Sequence, residues 1–370
     1  MLIPSESGAA MLRPRAAIQT LPSYHPPLGG RNGLRFDFNE NTVGCSPQVL
    51  ERLRQVSPEE LARYPEREPV EATVAAFLGI TVPELLLTNG VDEAIHLLCE
   101  TYLEPGDEAL IVVPTYSMYR IYVMATGAQV ITVPAGKDFH FPTEEVCNRI
   151  TSRTRLIAIA NPNNPTGTVA PQEELLRIID SAPASAILVD EAYFEFYGST
   201  LLPRCHELPN LFVARTFSKA YGLAGLRIGV LVGHPDQIRA VRRVASPYNV
   251  NAMALACLPE ALADQAYIQQ YVSEVCESRT LLERALEAAG IHFWPSRANF
   301  VLARVGSTAF TEQMRRRGIL VRNRSSDYGC EGCVRITLGP RKHVDRLLSA
   351  LQETLAVLGI AQGMSGHETR

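Results

Sequence analysis

The sequence lacks any continuous apolar stretch near the roughly 20 residues that cross a bilayer, and an uncharged run such as Ala109–Tyr119 falls far short. No membrane partner is expected. The first residues have no unbroken apolar core of the kind that marks an export signal, because arginines interrupt them, so the expected location is the cytoplasm. An excess of positive charge is also missing. The formal net charge is -4, which argues against a nucleic-acid partner. Neither GxGxxG nor GxxxxGK[ST] occurs, so a classical dinucleotide fold and a P-loop both lose their usual support. The eight cysteines are scattered and do not form a disulfide framework. Only Cys330 and Cys333 lie close together. One CxxC without a second pair is weak support for zinc, and no metal is expected. A turn holding two free thiols is the default, with a redox pair as the alternative. Repeats and low-complexity segments are absent too.

What is present is an alternation of strands and helices. Short apolar runs recur at Leu85–Thr88, Ala109–Val113, Gln129–Val133, Leu156–Ala160, Ala186–Val189, Leu211–Ala214 and Ile228–Val232, with helical spacing between most of them. Continuous apolar strands separated by helices predict an α/β fold with a mainly parallel, seven-stranded sheet covered by helices. Ligands of such sheets bind beyond the carboxyl ends of the strands. After about residue 260 the texture changes to a long helix from Gln265 to Ala289, strands at Phe300–Ala303 and Val334–Leu338, and a last helix from His343 to Leu358. This predicts a smaller α+β domain. The expected division is 45–260 for the large domain and 261–370 for the small one. Residues 1–44, rich in Pro and Gly, are expected to pack on the small domain or on a partner subunit.

Four segments follow strands and carry chemistry. The first is Thr216-Phe217-Ser218-Lys219, with Arg227 eight residues on among glycines. A lone lysine is usually a surface lysine. Here a nearby cation would lower its pKa and leave more free amine, and hydroxyls with an arginine suit a phosphate. The second is Asp190-Glu191-Ala192-Tyr193 at a strand end. Asp190 is placed to pair with a heteroaromatic nitrogen, a helix cap being the plain alternative, and Glu191 is expected to be structural. The third, Asn161-Pro162-Asn163-Asn164-Pro165-Thr166-Gly167, is a rigid turn dense enough to suggest a ligand loop. The fourth, Thr88-Asn89-Gly90-Val91-Asp92-Glu93, leads into a helix whose first amides can hold phosphate, although Asp92 and Glu93 also suit an ordinary helix start.

In this order and spacing the four segments resemble the fold-type I aminotransferases that use pyridoxal 5'-phosphate (PLP), over nearly the whole chain. The resemblance implies a homodimer with shared active sites. It implies that Lys219 forms the Schiff base with the cofactor and shuttles the substrate proton. Asp190 would pair with the pyridine nitrogen, and Tyr193 and Asn164 would bind the phenolic oxygen. Tyr116 would stack on the ring. Thr216, Ser218, Arg227 and the backbone of Val91 and Asp92 would hold the phosphate, joined by Tyr64 from the other subunit.

Further segments resemble the histidinol-phosphate aminotransferases: Phe38-Asn39-Glu40-Asn41, Arg63-Tyr64-Pro65, Ser246-Pro247-Tyr248-Asn249-Val250-Asn251, Pro295-Ser296-Arg297-Ala298-Asn299-Phe300, Gly318-Ile319-Leu320-Val321-Arg322 and Val334-Arg335-Ile336-Thr337-Leu338-Gly339. In the last of these, Val334, Ile336 and Leu338 alternate onto an apolar face, which turns Arg335 and Thr337 the other way. The resemblance implies that Arg335 and Arg322 grip the anionic end of the substrate, with Tyr24 joining them. Arg324 could assist them, a solvated rim being its expected place. The implied reaction moves an amino group from L-histidinol phosphate to 2-oxoglutarate. An aromatic or other amino-acid aminotransferase, and a lyase resembling threonine-phosphate decarboxylase, stay open as alternatives.

Overall fold

The computed structural model describes residues 12–23, 30 and 32–360. Its strands are β1 (Leu34–Phe36), β2 (Leu85–Thr88), β3 (Glu108–Val113), β4 (Gln129–Pro134), β5 (Thr154–Ala160), β6 (Ala186–Asp190), β7 (Leu211–Thr216), β8 (Gly229–Gly233), β9 (His292–Trp294), β10 (Phe300–Arg304), β11 (Ile319–Asn323) and β12 (Cys333–Thr337). Seven of them form one sheet in the order β2-β8-β7-β6-β5-β3-β4. The neighbours from β7 to β4 pair in parallel. β8 runs antiparallel to both β2 and β7. The apolar run that predicts β8 carries no direction. Residues 217–228 return the chain without a crossover helix, and only an antiparallel partner can be reached that way.

The central strands are buried on both faces, as continuous apolar runs require. In β6, Ile187 and Val189 join one core while Ala186 and Leu188 join the other. The helix Gly90–Tyr102 covers the second face with Ala94, Ile95 and Leu98, and the helix Gln172–Ser181 covers the first with Leu175, Ile178 and Ile179. Pairing aligns the carboxyl ends of the strands. Ala160 lies opposite Asp190, Asp190 opposite Ala214, and both Thr88 and Thr216 opposite Gly229.

A five-stranded sheet, β1-β11-β12-β10-β9, lies beside the helices Gln265–Ala288 and Arg341–Leu358, which pack on each other. The sequence pattern marks β10 and β12 as strands but gives little sign of β1 and β9, which have three residues each. β1 pairs in parallel with β11, so the chain enters the second sheet before it builds the first. Among the described residues no helix is long and apolar enough to cross a membrane.

Leu188 is fully buried in the middle of the large sheet. Leu188→Ala should therefore lower stability by about 2–5 kcal/mol. The exposed Val357→Ala, in contrast, should stay within about 0.5 kcal/mol. Urea unfolding followed by circular dichroism compares the two.

Candidate active site

The carboxyl ends of β2, β3, β5, β6 and β7 point to the same edge of the large sheet. Asp190, only 5 % exposed, ends β6. Its Oδ2 accepts a 2.6 Å hydrogen bond from the Tyr119 hydroxyl, and its Oδ1 accepts from the Ala192 amide at 3.0 Å. Burial raises its pKa to about 6, against these two bonds, which favour the charged form. Tyr119 is itself fully buried, and burial together with Asp190 holds its hydroxyl protonated. It therefore donates. This pair is well suited to hold a protonated ring nitrogen.

Lys219 follows β7 after two residues. Its Nζ donates to the Phe38 carbonyl at 3.2 Å and lies 6.0 Å from the centre of the Tyr193 ring. Burial, and then the positive charge of Arg335, lower its pKa to about 8. Tyr193 presents its hydroxyl to the Asn39 amide group at 2.9 Å and packs its ring edge-on against Phe300, 5.1 Å away. Asn39 has φ 56°, a left-handed conformation that asparagine tolerates better than most residues. Its backbone N–H donates to Thr337 Oγ1, whose hydroxyl donates back to Asn39 Oδ1, while Asn299 Nδ2 donates to the Asn39 carbonyl. Residues 38 and 39 thus tie Lys219 and Tyr193 to the second sheet.

An anion cradle lies at the start of the helix Gly90–Tyr102. Gly90 has φ 75°, and a Cβ there would stand 2.6 Å from Arg227 Nη2. Only glycine lets the guanidinium come so near the helix end. Arg227 donates to Asp92 Oδ2 at 3.2 Å, and the Tyr116 hydroxyl donates to Asp92 Oδ1 at 2.8 Å. Thr216 and Ser218 hydroxyls lie 2.9 Å apart beside the Lys219 turn. The first amides of a helix lack intrahelical acceptors, so Val91 and Asp92 have N–H groups available for a phosphate.

A third cluster is cationic. Arg335, 6 % exposed, donates through Nη2 to the Asp37 carbonyl at 2.7 Å and through Nη1 to Asn164 Oδ1. Arg322 lies 5.4 Å from the centre of the Phe38 ring. Arg324 departs from the expected solvated rim. Its side chain is 15 % exposed and pairs with Asp327. The turn that returns the chain from β11 to β12 folds over it, which residue spacing does not reveal.

The structure therefore gathers Lys219, Asp190, Tyr193, Asn164, Arg335 and Arg322 beyond the strand ends, with Tyr116, Thr216, Ser218, Val91, Asp92 and Arg227 around the start of the helix Gly90–Tyr102. Tyr64 is 76 % exposed and stacks on Tyr248 at 4.2 Å. Tyr24 lies outside the described residues. The sequence pattern assigns no role to Tyr119 or Asn39. A second tyrosine one helical turn after Tyr116 is the signal the sequence offers for Tyr119. Glu191 pairs with Arg215 at 3.0 Å and caps the Leu201 amide, a structural role. Cys330 and Cys333 are free, buried thiols among Phe139, Trp294 and Leu302.

The residues fit the expected cofactor. A buried acid is placed for its ring nitrogen, a lysine of lowered pKa for its aldehyde, and a glycine-backed arginine for its phosphate. The amine of cofactor-free protein should gain reactivity toward an aldehyde probe as pH rises through about 8. Because the Arg335 charge contributes to the lowered pKa, Arg335→Gln should move that profile to higher pH. Rate measurements on both proteins, with Lys219→Ala as the blank, check this.

The model of the family described as aminotransferase class I and II matches residues 31–351. The chain is 33% identical to a histidinol-phosphate aminotransferase of Moorella thermoacetica, covering 95% of each. It is 37% identical to histidinol-phosphate aminotransferase 1 of Thiobacillus denitrificans over 87% of this chain and 85% of that one. Among solved structures it resembles histidinol-phosphate aminotransferase from Sinorhizobium meliloti in complex with pyridoxal-5'-phosphate, with TM-score 0.86, 27% identity and coverage of 95% and 100%. By the family match and these identities the chain belongs to the class I and II aminotransferases.

Proposed function

We propose that this aminotransferase uses PLP to move the amino group of L-histidinol phosphate to 2-oxoglutarate. The observation that carries the reading is the convergence of Lys219, the Tyr119–Asp190 pair and the arginines 322 and 335 on one pocket. The names of its relatives point to the same donor. When bound, the cofactor supplies a protonated pyridine ring that draws electrons from the bond broken at the donor Cα.

Each residue has a part. Asp190 would hold the ring nitrogen charged, and Tyr119 favours the ionised form of Asp190. Lys219 Nζ would hold the cofactor at its aldehyde and, once freed by the donor, would take the proton from the donor Cα, a role its lowered pKa of about 8 suits at neutral pH. Tyr193, oriented by Asn39, and Asn164 sit beside the reacting end. Arg227, Ser218, Thr216 and the amides of Val91 and Asp92 hold the cofactor phosphate. Tyr116 would stack on the ring. Arg335 and Arg322 bind the anionic end of donor and acceptor in turn, so one set of arginines serves both halves of the reaction.

On this reading residues 45–260 form the cofactor domain and the described residues from 261 to 360 the small domain, with residues 32–44 joining the latter through β1. A second copy covers the exposed Tyr64–Tyr248 pair and shares the site. The free thiols suit a reducing cytoplasm.

PLP-loaded protein should lose its visible absorbance when L-histidinol phosphate is added without an acceptor and regain it with 2-oxoglutarate. A change with phenylalanine but not with L-histidinol phosphate would give the donor role to aromatic amino acids. Release of carbon dioxide from a phosphorylated amino acid would make it a lyase. Loss of the visible band in Lys219→Ala is required in every case.

Tyr119→Phe removes the donor that lowers the Asp190 pKa. The acid limb of kcat/KM should then move to higher pH, with a loss of about 10- to 100-fold at neutral pH, the worth of a hydrogen bond to a charged group. A pH–rate profile of both proteins reads the shift.

A further inference from the structure

Arg322 and Arg335 face each other directly across β11 and β12. Like charges opposite one another in a sheet destabilise it. Arg324 adds a third guanidinium. Its amide donates to the Cys333 carbonyl at 3.0 Å, fixing it beside β12 two residues from Arg335, and the Asp327 amide donates to the Arg324 carbonyl at 2.9 Å. That turn brings the Asp327 carboxylate onto the Arg324 guanidinium.

The charges do not balance. Against three arginines, with Lys219 also near Arg335, stand Asp327, Asp37 and Glu40, of which Glu40 is already paired with Arg35. Burial first, and then repulsion from Arg324 and Arg322, lower the Arg335 pKa to about 10. Arg322 Nη1, Arg324 Nε and Arg335 Nε are buried donors with no partner among the described residues. Buried charge and unmade hydrogen bonds both cost stability, so the cluster is arranged for an anion. A carboxylate brings one charge and two oxygens, which one guanidinium can satisfy bidentately. A phosphate monoester brings a charge of nearly two and three acceptor oxygens.

Resting on the function proposed above, we propose that Arg324, held in place by Asp327, is a specificity-determining residue that makes this pocket prefer an amino donor bearing a phosphate dianion. Arg322 and Arg335 suffice for a carboxylate. Arg324 supplies the charge that only the phosphate uses.

The test compares L-histidinol phosphate with L-histidinol as donors for the cofactor-loaded full-length protein, measuring the ratio of their kcat/KM values. In Arg324→Gln that ratio should fall about 10-fold or more, the worth of a charge-assisted hydrogen bond. The half-reaction with glutamate should change far less. Arg324→Lys, which keeps the charge, should retain part of the preference. Inorganic phosphate binding, measured by calorimetry, should weaken in parallel in Arg324→Gln. A ratio within about twofold of wild type in both variants, with phosphate binding unaltered, overturns the proposal and leaves the proposed function standing. If the wild-type protein does not use L-histidinol phosphate but Arg324→Gln still weakens binding of inorganic phosphate, the function falls and the role of Arg324 survives. An equal loss with glutamate would make Arg324 a general anion ligand and also overturn the proposal.

Discussion

Asp190 carries a carboxylate to the end of a strand that is apolar on both faces, and the surrounding pocket answers the cost of burying it. Water cannot solvate it there. Tyr119 Oη and the Ala192 amide take that place. The low polarity that threatens the charge also strengthens what it can do for a bound pyridine ring. Because Tyr119 hangs from the helix Ser117–Thr126, the position of that helix against the sheet fixes the chemistry of the acid. Lys219 meets the same environment with the opposite sign of charge. Burial favours its neutral amine, the form able to attack an aldehyde.

The second sheet completes what the first begins. Thr337 and Asn299 hold Asn39, Asn39 holds Tyr193, and Phe38 receives Lys219. Arg335 reaches from β12 to Asn164 in the loop after β5. The pocket therefore depends on two sheets keeping their relative position, and its cationic wall belongs wholly to the smaller one. Positive charge gathered at β11 and β12 is costly without a ligand. The same cost gives an incoming anion a strong reason to bind, and the number of arginines sets how much negative charge is matched.

Much of this was legible in the sequence. The large sheet could be read because strands covered on both faces must be apolar along their whole length. The functional segments could be read because parallel sheets place ligands after strands, where Lys219, Asp190 and Asn164 occur. Short strands such as β1 and β9 carry too few residues for a pattern, and the reversal at β8 leaves no mark on its composition. Arg324 reads as a surface residue because nothing local shows the turn that covers it.

The sequence by itself determined the family, the fold class and the kinds of side chain in the pocket, since periodicity and the order of the motifs are local properties of the chain. Tertiary structure alone decided which of these side chains meet. Tyr119 lies 71 residues from Asp190 and Asn39 lies 154 from Tyr193. Arg322 and Arg335 become opposite neighbours only through the register of β11 on β12. Burial and long-range pairing set the charge of a lysine, an acid or an arginine, and both arise only when distant segments pack.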